Sequence, residues 1–303
     1  MGDNNCTILK GDDVTASNII VLIITLSVAS VGMWINSFIV AVNCIEHIKH
    51  RCLSSNDNIL AAVATSRFCF LFKTMLRIFY STFYPWIYYK SSVLQAFRAV
   101  TWFLNSSNQW FAACLCAFYC VKIANFSHPL FICLKFKISK LVPWLLLASV
   151  LLSFSINYKM ANVTVQTAVS AVLLICGTGF SMAFTIFIIS ALLLLFSLWR
   201  HTWHMQNNSS SFRSPRMEAH IQAMKTIMSF FIFNAINFII LLILLTDIFP
   251  ENGTANVICT TVSDVCLSVH SVILILSNPK LKKILIKVLH YVKNARVRKM
   301  NVP

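Results

Sequence analysis

The chain has 303 residues, of which 58% are hydrophobic and only 11% are charged, whereas a soluble globular protein has about 25% charged residues. This composition excludes a domain surrounded by water and favours a polytopic membrane protein with one helical bundle. The formal net charge of +16 is also typical of nucleic-acid binders, but the basic residues lie between apolar segments. That placement indicates an orientation in a membrane and no nucleic-acid partner.

Seven segments of the chain are apolar and long enough to form a transmembrane helix, which needs about twenty residues. We expect helices, because a bilayer tolerates no unpaired backbone and the sequence lacks the alternating pattern typical of a β-barrel. The predicted fold is all-α, a seven-transmembrane helix bundle that forms a single domain over residues 1–303. The predicted spans are residues 18–42, 59–80, 93–121, 138–158, 168–198, 224–248 and 257–277.

A short amphipathic helix is predicted after the last span. Asn278 and Pro279 provide an N-cap and a proline at the first helical position. In the residues that follow, apolar side chains recur on one helical face and lysines occupy the other. This pattern predicts a helix on the inner leaflet of the membrane, within the C-terminal segment 278–303.

The distribution of basic residues sets the expected orientation. They concentrate in the segments 43–58, 122–137, 199–223 and 278–303, and cytoplasmic loops are rich in Lys and Arg. We therefore expect the N-terminal segment 1–17 outside the cell and the C-terminal tail in the cytoplasm.

Two further residue types bear on modification and metal binding. In this topology the sequon at Asn162 lies in the second outer loop, which makes Asn162 the best candidate for glycosylation. Most of the eleven cysteines lie inside apolar runs, where a thiol acts as a small hydrophobic side chain. Cys114, Cys116 and Cys120 do not share one helical face, so no metal site is predicted.

The third predicted span carries a stripe of polar residues. Spacings of three and four place Thr101, Asn105 and Asn108 on one helical face, which reaches Tyr119 at the inner end. We expect the outer part of this face, beside Trp102, to line a cavity that opens outward. The alternative is that the amides only join neighbouring helices by hydrogen bonds.

Arg67 lies inside the second predicted span, where an ionisable side chain is costly and often functional. At 1.5 Å per residue it is about 12 Å from the inner edge, so it must be buried against neighbouring helices. Asn36 of the first span lies at a similar depth. We expect Asn36 and Arg67 to form a structural and switching lock rather than a ligand site.

The last two spans also contain polar residues at membrane depth. Asp264 either contacts a ligand or neutralises Lys73 or Arg98, and the sequence favours neither alternative. Thr261 lies about one turn above Asp264, and Asn237 has a comparable role in the sixth span. These residues complete the predicted ligand site.

Motifs in several predicted spans resemble those of one receptor family. The string FYCVKIANFS at residues 118–127, followed by HPL, resembles the third-helix signature of the type 2 (bitter) taste receptors. The strings SLWRH at 197–201, HS at 270–271 and NPKLK at 278–282 resemble the fifth- and seventh-helix motifs of that family, in the same order. The Asp-Arg-Tyr and Asn-Pro-x-x-Tyr motifs of rhodopsin-like receptors are absent, as they are in taste receptors.

The resemblance implies a G-protein-coupled receptor in the plasma membrane, without enzymatic activity or a cofactor. Its implied partners are bitter small-molecule agonists, the lipid bilayer and a gustducin-type G protein, which would lead to phospholipase C and calcium release. We expect ligand contacts at Thr101, Trp102, Asn105, Asn108, Asn237, Thr261 and Asp264. We expect a conformational switch at Asn36, Arg67, Tyr119 and His270. We expect G-protein contacts at Lys122, Arg200, His201 and Lys225.

Two positions depart from the family pattern, so ligand preferences are not transferred from relatives. Thr101 occupies the place of a frequent tryptophan, and Asn237 that of a common sixth-helix tyrosine. The nearest alternative is another chemosensory receptor, such as the vomeronasal type 1 group. From a different class, a seven-helix transporter or ion pathway would use Arg67, Lys73 and Asp264 as a relay.

Overall fold

The computed structural model describes residues 4–50, 54–124, 129–161, 168–208, 215–245 and 253–300, which are helical apart from short turns and include no β-strand. The all-α class predicted from the sequence is confirmed for these residues. The helices are α1 (Asn4–His50), α2 (Ser55–Phe83), α3 (Pro85–Tyr88), α4 (Ser91–Ile123), α5 (Pro129–Ala161), α6 (Ala168–Asn208), α7 (Pro215–Leu245), α8 (Thr254–Ser277) and α9 (Pro279–Met300).

Local side chains explain several helix ends. Ser54 caps α2, because its hydroxyl accepts a hydrogen bond from the Asp57 backbone N–H at 3.2 Å. Pro85 opens the short helix α3, where its fixed φ suits the first helical position. The Asn278 side chain accepts a hydrogen bond from the Lys280 backbone N–H at 3.0 Å, which confirms the predicted cap of α9.

Five stretches within the described residues are long and apolar enough to cross a membrane, and they match the predicted first, second, fifth, sixth and seventh spans. The predicted third and fourth spans lie in α4 and α5, each a helix of 33 residues. The count of seven spans therefore stays a prediction. The five stretches are Ile19–Lys49, Ser55–Phe83, Gly177–Arg200, Ala223–Leu244 and Thr254–Ser277.

The helices pack in a closed ring with α4 well enclosed. α1 contacts α2 and α8, α7 contacts α6 and α8, and α4 contacts α2, α5 and α6. The largest core cluster surrounds α4: Leu115 of α4, Leu60 of α2 and Phe187 of α6 are all buried in it. The polar stripe of α4 is therefore held inside the bundle and faces other helices.

The apolar face of α9 packs onto the bundle. Leu281 is buried with Ile39 and Val42 of α1, whereas Lys282 and Lys283 are exposed. The structure thus confirms an amphipathic helix after the last span. Its contact with the inner leaflet remains a prediction.

One lysine also fastens α9 to the first two helices. Lys280 Nζ donates a hydrogen bond to Asp57 Oδ2 at 2.9 Å and forms an ion pair with Glu46. Partial burial alone would lower the pKa of Lys280, but the hydrogen bonds and the charges of Glu46 and Asp57 outweigh it and raise the pKa above its usual value. The sequence pattern gave no sign of this contact.

Candidate ligand-binding and signalling site

The polar stripe of α4 is enclosed by protein, and its two amides differ in their bonding. Asn105 and Asn108 are only 3% and 5% exposed. Ser66 of α2 donates a hydrogen bond to Asn108 Oδ1 at 2.6 Å, so this amide joins α4 to α2. Asn105 Oδ1 has no hydrogen-bond partner among the described residues. Asn105 Oδ1 is therefore available to accept a hydrogen bond from another molecule, whereas Asn108 Oδ1 already accepts one from Ser66.

Two other predicted ligand residues form hydrogen bonds between helices. Ser263 of α8 donates to Asn237 Oδ1 of α7 at 2.6 Å. The hydroxyls of Thr25 in α1 and Thr261 in α8 are 2.6 Å apart. These contacts fit the alternative reading, in which polar side chains join neighbouring helices. The side-chain oxygens of Asn237 and Thr261 already take part in hydrogen bonds, so a ligand that contacts them has to share them with Ser263 and Thr25.

Thr101, at the outer end of the stripe, and its neighbour Trp102 are half-buried. Thr101 donates a hydrogen bond to the Phe97 carbonyl of its own helix at 2.7 Å. The ring centroids of Trp102 and Phe180 are 6.0 Å apart, which joins α4 to α6. Trp102 therefore offers an aromatic surface, while the Thr101 hydroxyl is already bonded.

Asp264 lies in the centre of the bundle. Its side chain is fully buried, and neither carboxylate oxygen has a hydrogen-bond partner among the described residues. The charged groups that act on it are Lys73 and Arg77 of α2. Asp264 is thus a buried acid under the influence of two basic residues of α2, and both alternatives for it, a ligand contact or the neutralisation of Lys73 or Arg98, stay predictions.

The predicted lock of Asn36 and Arg67 is bridged by a third residue. Arg67 Nη1 donates to Ser271 Oγ at 3.1 Å, and Ser271 Oγ lies 2.9 Å from Asn36 Oδ1. The Asn36 amide also donates to the Gly32 carbonyl at 2.8 Å. Asn36 and Arg67 are therefore linked through Ser271 of α8, and the bridge joins α1, α2 and α8 at one depth.

The other two predicted switch residues pack against aromatic rings. His270 stacks on Phe230 of α7 with ring centroids 4.1 Å apart, and its ring nitrogens have no hydrogen-bond partner among the described residues. Tyr119 lies beside Phe118, with centroids 6.1 Å apart, near the inner end of α4. Both residues lie next to helix–helix interfaces of the core.

The inner ends of α4, α6 and α7 meet in one apolar cluster that includes Ala124, Leu198 and Ile227. Around this cluster the predicted G-protein residues Lys122, Arg200 and Lys225 are exposed on their separate helices. The fold thus gathers these three basic residues on one end of the bundle. The His201 side chain and the whole of Asn162 lie outside the described residues.

A family model described as taste receptor protein (TAS2R) matches residues 14–293 of the chain. The chain belongs to the taste receptor (TAS2R) family. It is 36% identical over 299 residues to taste receptor type 2 member 40 from Gallus gallus, with 91% of this chain and 96% of the relative covered. It is also 36% identical to taste receptor type 2 member 9 from Macaca mulatta over 295 residues, with 90% and 94% covered. Taste receptor type 2 member 2 from Homo sapiens is 36% identical over 272 residues, with 83% and 89% covered.

Membership in the TAS2R family decides between several alternatives. The relatives are taste receptors, so this TAS2R chain is a chemosensory receptor of the bitter-taste class and not an enzyme. Together with its apolar helices, the membership makes the chain a multi-pass membrane protein. The vomeronasal alternative has no support from these relatives.

The hydroxyl partners of the TAS2R site were missed from the sequence. Ser66, Ser263 and Ser271 each bond a predicted amide or guanidinium residue of another helix. The available signal was a serine inside an apolar span at the depth of a buried amide, where a hydroxyl needs a partner. Many serines share that property, so the signal alone does not select these three.

Proposed function

We propose that this taste receptor is a G-protein-coupled receptor that crosses the plasma membrane seven times. In this topology α4 and α5 supply the third and fourth spans, the N-terminus is outside and the C-terminus is in the cytoplasm. The concentration of Lys and Arg on one side of the spans supports the orientation. The sequon at Asn162 then lies outside, where glycosylation takes place.

Bitter small molecules bind, in this proposal, among the outer halves of α4, α7 and α8. The observation that carries it is Asn105, which is 3% exposed and whose acceptor oxygen has no partner in the described part of the chain. A buried oxygen without a partner costs about 1–3 kcal/mol, and a ligand donor offsets that cost. The proposed lining is Thr101, Trp102, Asn105, Asn108, Asn237, Thr261 and Asp264.

An agonist favours the conformation to which it binds more tightly. We propose that the change from the inactive to the agonist-favoured conformation rearranges the contacts of Asn36, Arg67, Tyr119 and His270. The Ser271 bridge supports this route, because it lies on the same helix as Asp264, about two turns further in.

The output is contact with a gustducin-type G protein, followed by phospholipase C activity and calcium release. Lys122, Arg200, His201 and Lys225 are the proposed contacts. The exposure of Lys122, Arg200 and Lys225 around one apolar cluster supports this role, since a partner surface needs charges that remain in water.

Expression with a chimeric G protein, followed by calcium imaging across a panel of bitter compounds, tests the function. The receptor is expected to respond to at least one compound, and Asn105→Ala to lower the potency of that compound about tenfold through one lost hydrogen bond. Asn43→Ala removes another buried amide, in α1 outside the proposed site, and serves as the control.

Three outcomes count against the proposal. Silence of a surface-expressed receptor to the whole panel contradicts the receptor function. Unchanged potency in Asn105→Ala contradicts the site. A membrane current without agonist supports the transport alternative instead.

A further inference from the structure

Among the described residues, the centre of the bundle holds more basic than acidic side chains. On α2, Arg67 and Lys73 are 4% and 5% exposed, and the Arg77 Nε is buried. Among the described residues the centre contains one acid, the fully buried Asp264, since the other buried acid, Asp57, lies at the inner end of α2. Two buried basic side chains, Arg67 and Lys73, and the half-buried Arg77 therefore share one buried carboxylate, where an unpaired charge is costly.

Two of these basic residues follow Arg67 along α2, toward its C-terminal end. Lys73 and Arg77 lie about one turn apart on α2, and both act electrostatically on Asp264. Neither oxygen of Asp264 accepts a hydrogen bond from a described residue. Arg67 lies further in and donates to Ser271. One carboxylate balances only one of Lys73 and Arg77, and the described residues supply no second buried acid beside this pair.

Packing places these charges at the level of the predicted ligand residues. Lys73 Nζ lies 4.3 Å from the centroid of the Phe70 ring, a cation–π contact that offsets part of its desolvation. Phe70 packs in one cluster with Leu104 of α4 and Leu267 of α8. Leu104 directly precedes Asn105, and Asp264 lies about one turn before Leu267. Lys73, Asn105 and Asp264 therefore belong to one layer of the bundle.

We propose that the ligand site selects agonists with an anionic group, a carboxylate or a sulfonate, which binds at Lys73 and Arg77. This inference rests on the proposed receptor function. The anion supplies the negative charge that Asp264 alone does not, and Arg77 offers parallel N–H donors that match a carboxylate or sulfonate. A neutral analogue leaves the charges unbalanced, and a cation adds a like charge beside Lys73 and Arg77.

Calcium imaging with matched ligand pairs tests the selection. Each aromatic carboxylate or sulfonate is compared with its methyl ester or amide, and the acid is expected to be about tenfold more potent or better, equal to about 1.4 kcal/mol. Lys73→Met leaves Arg77 and Asp264 as a balanced pair, so the receptor should reach the surface. It is expected to lower the potency of the acid about tenfold and that of the ester less than about twofold.

Two further variants sharpen the test. Asp264→Asn removes the competing carboxylate and is expected to raise the potency of the acid. Lys90→Met removes an exposed lysine just before α4 and is the matched control, with unchanged potency for both ligands. Surface biotinylation normalises all responses to the amount of receptor at the membrane.

The outcomes separate this inference from the function on which it rests. Silence to every compound of a broad panel overturns the receptor function. Activation by neutral or cationic compounds with no advantage for acids, together with unchanged potencies in Lys73→Met, overturns the charge selection and leaves the receptor function standing. An acid advantage that Lys73→Met does not reduce also overturns the assignment to Lys73 and Arg77.

Discussion

Lys280 Nζ lies 2.9 Å from Asp57 Oδ2, although the two residues are 223 positions apart in the chain. Glu46 forms a second ion pair with the same ammonium group. The start of α9 is thereby joined to the inner ends of α1 and α2.

The first prediction concerns this ion pair. Asp57→Asn and Lys280→Gln are each expected to lower the thermal stability of the purified receptor, and the two are expected to be coupled by about 1 kcal/mol, because the Lys280 side chain is partly exposed to water. A double-mutant cycle followed by thermal unfolding measures the coupling. Lys282→Gln, at an exposed neighbour, is the control, and strictly additive effects of Asp57→Asn and Lys280→Gln would refute the contact.

The second prediction concerns the close approach of α1 and α8 at Gly32. A Cβ at this position would clash with Ser268 Oγ and would lie 2.7 Å from Leu71 Cδ1. Gly32→Ala is therefore expected to destabilise the bundle by about 1–3 kcal/mol, the usual cost of overpacking. Thermal unfolding checks this, and the added Ser268→Gly change should restore part of the loss. No rescue in the double variant would show that Ser268 is not the obstacle.

The third prediction concerns the bridge at Ser271. Ser271→Ala leaves Arg67 Nη1 and Asn36 Oδ1 without this partner, which is expected to cost about 1–3 kcal/mol of stability. Ser271→Thr keeps the hydroxyl and should lose less. Thermal unfolding compares both with Ser277→Ala, which removes an exposed hydroxyl of the same helix together with its 3.0 Å contact to the exposed Thr226 hydroxyl. Equal losses in Ser271→Ala and Ser277→Ala would contradict the bridge.

The fourth prediction concerns the exposed basic residues at the inner end. Neutralising Arg200 and Lys225 to Gln is expected to weaken G-protein coupling about tenfold without changing agonist binding, because charges at the rim of an interface mainly govern association. Agonist-stimulated nucleotide exchange at two salt concentrations measures this effect. Lys90→Gln, far from this end, is the control. A weaker agonist affinity in the double variant would place the effect at the ligand site instead.

The helical class and most span positions were predictable because hydrophobicity, caps and charge are local properties of the sequence. Asn278 capped α9 as its sequence context predicted, and α9 is amphipathic. The residues at membrane depth were also predictable, because Arg67 and Asp264 interrupt apolar runs. Their partners were not, since the depth and rotation of each helix in the bundle set which side chains meet.

The sequence by itself determined which residues would be inside the membrane and which chemistry they would carry. The tertiary structure decided which of these polar groups form hydrogen bonds with one another and which remain available to a ligand. Asn237 and Thr261 are bonded to Ser263 and Thr25, while the side-chain oxygen of Asn105 accepts no hydrogen bond from the described residues. The physical reason is distance along the chain: Thr25 and Thr261 are 236 positions apart, and only the packing of α1 on α8 brings their hydroxyls together.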